Sequence, residues 1–363
     1  MPRREPYRIL FPLGALLGWV GVLPWLFFAL RLRSIYEPLN AMLAYRSFLH
    51  PLAELEGFLG CFAAGLLFTL LPPQAAPWQV AAAVIAPLGS AALGALGRWE
   101  LGQVLWLFWL AVVLEFSLRR APRPVPASFV WMGASLLMGG CGAALAQLAA
   151  LLDQEWFWLR EMGRDLMLQG VFIGLAAAAG RLLREDESRR WPLHAAGAAL
   201  FAASFFVGAR MGSHLGFALR ALVLLALARP LRPAFEFGPL NLRRSFAHLA
   251  LWMLALGNAW IAVAPQVRRA GLHVVFLGSF AALLLSAFSG AGRRLALPAG
   301  LFALSMVGRV MVELDPVNFH LWMGLSAAAF LAATVVCARL PLSPRGAPQQ
   351  PPRDGAAAAP RPG

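Results

Sequence analysis

The chain consists of one apolar run after another, and each run has the length of a membrane crossing. A helix needs about 20 apolar residues to traverse the hydrocarbon layer. The sequence supplies roughly twelve such runs, near residues 10–30, 48–71, 77–96, 101–118, 127–151, 165–183, 192–209, 212–229, 245–265, 271–289, 295–313 and 319–340. Lipid offers the backbone no hydrogen-bond partners, so runs of this length can only be helices that pair their own N–H and C=O groups. The expected fold is therefore all-α, a polytopic bundle of about 12 transmembrane helices forming one domain over residues 1–340. Breaks such as "LPPQAAP" (70–77), "RRAPRPVP" (119–126) and "ARPLRPAFEFGPLNLRR" (228–244) carry turn signals, and none is long enough to fold separately. The tail 341–363, rich in Pro, Ala and Arg, has no apolar periodicity and is expected to be disordered and cytoplasmic. The segment 153–167 mixes charges with Trp156, Phe157 and Trp158, the composition of a short helix lying on the membrane surface.

Composition agrees with this and narrows the partners. Hydrophobic residues make up 60% of the chain and charged residues 13%, which excludes a water-soluble domain of this size. The net charge is +14 and all 31 positive side chains are Arg. They are scattered over short loops rather than gathered on one face, which fits anionic lipid headgroups and not nucleic acid. The Arg, Ala and Gly bias suits a GC-rich bacterial genome, so a multi-pass protein of the bacterial cytoplasmic (inner) membrane is expected. The N-terminus pairs a basic start with an apolar stretch longer than a signal-peptide core and has no A-x-A-like site, so it reads as a retained first span. Alternate loops hold 20 Arg on the side of both termini against 9 on the other, and two, Arg220 and Arg309, lie inside helices. The positive-inside rule puts both termini in the cytoplasm.

With that topology, four of the six histidines begin helices at the outer face: His50, His214, His273 and His320. His194 and His248 begin helices on the cytoplasmic side. One His at a helix end is commonly an interfacial residue, but four on one face ask for a shared explanation. Neutral imidazole is the commonest metal ligand, and imidazoles from different helices can hold a haem without covalent attachment. Arg220 lies about 12 Å down its helix at 1.5 Å per residue, with no local carboxylate. A haem propionate, or a carboxylate from another helix, would neutralise it. Arg309 and Glu313, spaced i, i+4, are expected to pair with each other. In "FLHPLAELEGFLGCF" (48–62), His50 and Glu54 share a helix face while Glu56 points away, and Gly57, Gly60 and Ala64 form a stripe for close helix approach. Cys61, Cys141 and Cys337 have no C-x-x-C or C-x-x-C-H spacing and read as small core residues. No P-loop, G-x-G-x-x-G after a strand, H-E-x-x-H or G-x-S-x-G occurs, so nucleotide and hydrolase chemistry have no motif.

Three segments resemble the NnrS family of twelve-helix bacterial inner-membrane proteins, which contain haem and copper and are associated with the response to nitric oxide. In "HPLAELEGFLGCFAAGLLFTLLP" (50–72), His50, the Gly57-Phe58 pair and the ending "GLLFTLLP" match the family's second helix. "GLHVVFLGSF" (271–280) keeps His273 and Gly278 of a late-helix pattern, and "PRDG" (352–355) is similar to its C-terminal signature. The second His and the Glu of the helix 2 motif fall on Leu52 and Ala53, and a further motif His falls on Gly290. The resemblance implies His50 and His273 as haem or metal ligands, with haem b and copper as cofactors and nitric oxide as a partner. His214, His320 and Arg220 join them as cofactor-binding candidates from topology. Other readings stay open: a transporter or permease without haem, with Arg220, Asn258, Pro87 and Gly139-Gly140 along its path, or a structural or assembly protein whose metal sites have decayed. No residue pattern implies catalytic turnover.

Overall fold

The computed structural model describes residues 5–43, 45, 49–121, 125–152, 156–184, 191–228 and 239–340. It is 90% helical, with no strand among the described residues. Eleven helices are long and apolar enough to cross a membrane. They are Tyr7–Ala29 (span 1), Leu52–Leu70 (span 2), Pro77–Ala95 (span 3), Leu101–Leu118 (span 4), Ala127–Ala149 (span 5), Phe157–Leu183 (span 6), Trp191–Arg210 (span 7), Leu242–Val263 (span 9), Pro265–Ala287 (span 10), Ser289–Leu314 (span 11) and Pro316–Cys337 (span 12). A shorter apolar helix, Ser213–Ala228, completes the set as span 8. Spans 7 and 8 are divided by a tight reversal at Gly212, whose φ of 127° is a conformation that glycine adopts most readily.

Two segments depart from the sequence reading. Between spans 1 and 2 an additional helix, Arg33–Leu43, is present, amphipathic and too polar to be an apolar run. The expected separate surface helix at 153–167 is, from Phe157 onward, the first part of span 6. It continues through a π-helical stretch, Leu166–Gly170, into Val171–Arg184. The cause is packing. Gly163 lies so close to Gly142 and Ala146 of span 5 that a Cβ there would meet their backbone at 2.6 and 2.7 Å. Residues 153–155 and the tail 341–363 lie outside the described residues.

The spans fall into three successive groups of four: 1–4, 5–8 and 9–12. In each group the second span is the most enclosed. Spans 2, 6 and 10 have 78%, 94% and 61% of their apolar windows buried, and no other of the eleven exceeds 50%. Each of these spans also carries a π-helical stretch: Leu52–Leu59, Leu166–Gly170 and Val274–Gly278. The groups are joined by packing of span 4 on 5, 8 on 9 and 12 back on 1, so the helix path closes on itself. Within each group the first and second spans cross at a glycine: Gly21 against Glu54, Gly142 against Gly163, and Gly257 against Gly271. In membranes, where lipid is as apolar as leucine, such close backbone approach supplies the packing that holds helices together.

The stripe expected on span 2 is divided between two neighbours. Gly57 meets Leu17 of span 1, whereas Gly60 faces Trp106 and Trp109 of span 4. Around these contacts one large core is built from Leu, Ala and Phe, with Trp106 stacked on Trp109 at 4.7 Å.

Candidate functional site

A cavity of about 260 Å³ lies among spans 1, 2, 6, 10, 11 and 12. Its polar lining is collected at one end: His50 and Glu54 from span 2 and the turn before it, His273 from span 10, Arg309 and Ser305 from span 11, and Ser326 from span 12. The rest of the wall is Leu, Ala, Phe and other apolar side chains. The two histidines implied by the family resemblance, 223 positions apart in sequence, therefore face one chamber.

Both imidazoles are held in the same tautomer. His50 Nδ1 is 2.8 Å from the Gly21 carbonyl and His273 Nδ1 is 2.6 Å from the Arg269 carbonyl. A carbonyl only accepts, so each Nδ1 carries the proton and each Nε2 presents a lone pair. This is the arrangement found behind metal-bound histidines, in which a hydrogen bond from one nitrogen orients the other. The Gly21 carbonyl also accepts from the Tyr45 hydroxyl. Trp25 packs edge-on against His50, with ring centres 5.9 Å apart. The His273 Nε2 lone pair accepts from Arg309 Nε at 3.0 Å. Arg309 is therefore turned toward span 10, and the ion pair expected between Arg309 and Glu313 is not formed among the described residues. Span 11 explains this: Phe302, Ser305 and Arg309 share the helical face that lines the cavity.

Glu54 reaches the chamber as well. Its Oε1 is buried without a hydrogen-bond partner, and the carboxylate lies against span 1 so closely that a Cβ on Gly21 would meet it. Glu56, two residues on, is directed to span 3, where its Oε2 accepts from Ser90 Oγ at 2.7 Å. The divergence of the two carboxylates follows the expected facing. Spans 11 and 12 are tied beside the cavity by reciprocal bonds, Ser305 Oγ to the Ser326 carbonyl at 2.9 Å and Ser326 Oγ to the Ser305 carbonyl at 2.8 Å.

The remaining candidates sit elsewhere. His320 is at the same end as His50, its ring 5.2 Å from Phe28, but it does not line the cavity. His214 is exposed at the start of span 8. Arg220 belongs to a separate buried network. Its Nη1 donates to Gln169 Oε1 at 2.7 Å and its Nε to Ser204 Oγ at 3.1 Å. Its guanidinium lies 3.8 Å from the Phe205 ring centre and 4.4 Å from that of Phe217. Gln169 in turn donates to Asp165, which pairs with Arg268 at 3.1 Å. A carboxylate from another helix thus reaches Arg220 through Gln169.

Haem and copper, implied by the family resemblance, fare differently against these side chains. No group of three His, Cys, Asp or Glu side chains able to hold a metal ion occurs among the described residues. The donor set for copper is not assembled there, and copper takes no part in the reading below. The cavity suits haem better, having apolar walls, two imidazoles presenting Nε2 and a cation at the same end. Compared with known proteins, the chain matches no family model, and no curated protein or solved structure is detectably similar to it.

Proposed function

We propose that this polytopic membrane protein binds haem b in the cavity between spans 2 and 10 and serves a nitric oxide response. The observation that carries the reading is the pair His50 and His273, both Nδ1-protonated and both lining one apolar chamber with Arg309. His50 is the stronger iron ligand, because its Nε2 lone pair meets no donor among the described residues, whereas the Nε2 of His273 is engaged by Arg309. Arg309 is the residue suited to hold a propionate, since a charge-assisted bond to a carboxylate is stronger than its present one to a neutral ring. The Leu, Ala and Phe walls offer the apolar surface that a tetrapyrrole ring would pack against. A bound haem would supply an iron centre able to take a small apolar gas, and nitric oxide can reach such a site through lipid. The transporter reading draws less on the structure, because the wall away from the His50 end offers no polar side chain to a polar solute.

Purification in mild detergent after haem-replete expression tests this. A Soret band that is lost in His50→Ala, with the variant still monodisperse, is the expected result, as is a shift when nitric oxide is added to the reduced form. A colourless wild-type protein would end the reading.

A further inference from the structure

The cavity is far longer than its polar end. On span 2 its lining runs from His50 to Leu67, and on span 10 from Leu272 to Ala287. At 1.5 Å per residue these are about 25 and 22 Å. All the polar lining, from Glu54 to Arg309, lies at the His50 end. From Phe58 to Leu67, about 13 Å along span 2, the facing side chains of spans 1, 2, 6 and 10 are only Leu, Ala and Phe. The space is made by small residues on the three most enclosed spans: Ala63, Ala176, Ala179, Ala281 and Ala287. Interiors are normally close-packed, with few voids larger than a water molecule. An apolar sleeve of this length among spans 1, 2, 6 and 10 is therefore a shaped site, and an apolar lining selects an apolar occupant.

We infer that the part of the cavity away from His50 is a sleeve for a hydrocarbon chain, isoprenoid or acyl, borne by a ligand whose polar head meets Arg309 at the other end. This rests on the reading that a ligand head occupies the His50 end, but not on that head being haem. Where the head is a tetrapyrrole, His50 would hold its iron and Arg309 its acid groups. The chain is then either a long substituent of the tetrapyrrole or the tail of a separate membrane lipid. In both cases burial of each methylene is favourable, and the sleeve discriminates by length, since Phe11 and Leu67 lie at its far end.

The test uses the full chain purified in mild detergent, with organic extraction and mass spectrometry of the pigment and of co-purifying lipid, beside native mass spectrometry of the intact protein. Two variants fill the sleeve from different spans, Ala63→Phe and Ala287→Phe, with the visible spectrum and elution profile as controls. A pigment heavier than haem b by a long hydrocarbon chain supports the inference and identifies a substituent. Haem b with one equivalent of a lipid that falls at least tenfold in either folded variant supports it and identifies a separate lipid. A colourless protein carrying that same lipid supports the sleeve and removes haem. Haem b alone, or haem b with lipid unaffected by both variants, overturns the sleeve and leaves the haem reading standing; a colourless protein whose lipid is unaffected by both overturns both. Neither pigment nor stoichiometric lipid in the wild-type extract overturns both.

Discussion

Replacing Arg220 with Met separates a structural role from a cofactor role. Arg220 links three spans: it donates to Gln169 on span 6 and to Ser204 on span 7, and its guanidinium covers the Phe205 ring. Interhelical side-chain hydrogen bonds in membranes average about 0.6 kcal/mol and reach about 1.7. Two of them together with a desolvated cation–π contact of about 1–2 kcal/mol give a loss of about 2–5 kcal/mol. The sign is not automatic, because exchanging a buried charge for an apolar side chain relieves its desolvation. Here Gln169, itself buried, is left with an unsatisfied acceptor, so the net effect is destabilising. Unfolding can be followed with a thiol-reactive fluorogenic dye, because Cys61 and Cys337 are buried while Cys141 is exposed. In a Cys141→Ser background the Arg220→Met transition should move down by several degrees, and adding Gln169→Met should recover part of the loss. The Soret absorbance per folded molecule should not change. An unaltered melting transition with a lost or shifted Soret band would refute this account and return Arg220 to the cofactor.

Three further outcomes follow from the geometry. Arg309→Met removes the only Arg on the cavity wall among the described residues and should weaken retention of an acid-bearing ligand by about 10- to 100-fold, one charge-assisted bond of about 1.5–3 kcal/mol. Transfer of haem to an external haem-scavenging protein measures it, and unchanged retention would take the ligand head away from Arg309. Gly142→Ala should destabilise by about 1–3 kcal/mol, because its Cβ would stand 2.5 Å from the Gly163 carbonyl oxygen. Gly140→Ala on the same helix, whose Cβ meets nothing within 4 Å, should be neutral or slightly stabilising in the same melting assay. Asp315, in the turn between spans 11 and 12, accepts from Trp322 Nε1 and Asn318 Nδ2, each at 2.9 Å, and these bonds hold its carboxyl below the usual 3.8. A depressed pKa contributes stability above the ordinary value that is lost as pH falls through the folded one. Trp322 fluorescence, isolated by comparison with Trp322→Phe, should therefore stay constant from neutral pH to about 4 and change only below. A transition between pH 5 and 6 would contradict the bond.

The helices were legible because crossing lipid demands long apolar runs, a local property of sequence. All twelve expected positions carry a helix, and even the short turn between spans 7 and 8 shows in "ARMGSH". The Arg33–Leu43 helix was not legible by that signal, since its amphipathic pattern includes Arg33, Glu37, Pro38 and Asn40. The π-helical stretches leave no apolar periodicity of their own, and the absorption of Phe157–Asp165 into span 6 depends on a tertiary contact at Gly142. At the site, His50 and His273 could be singled out as chemistry, but their facing one cavity is a fact of packing. Arg309 was misassigned because i, i+4 spacing offered it Glu313 nearby, whereas the shared face of Phe302, Ser305 and Arg309 was the better guide. That face could have been read from the sequence.

The three groups of spans show why the polar residues lie where they do. Each places a π-helical stretch in its most enclosed span, and the three stretches recur about 110 residues apart. A π turn widens the helix locally and shifts the side chains that follow, and such turns are frequent at functional sites. In the first group it begins two residues after His50 and carries Glu54. In the third it begins directly after His273, and in the second it holds Gln169. The first and third groups aim these residues into the shared cavity, where Arg309 is the cation they meet. The second aims Gln169 at Arg220, and that group satisfies its own intramembrane cation. One arrangement of helices thus yields two outcomes: a closed strut in the second group, where Arg220 donates to Gln169, and a chamber between the first and third, where His273 meets Arg309 but Glu54 Oε1 is left without a hydrogen-bond partner. The chamber is the place where an intramembrane cation and a carboxylate, Arg309 and Glu54, line one space without pairing with each other. Charged side chains at membrane depth are retained where they serve a ligand or a path, which supports the proposed ligand site at the meeting of the first and third groups.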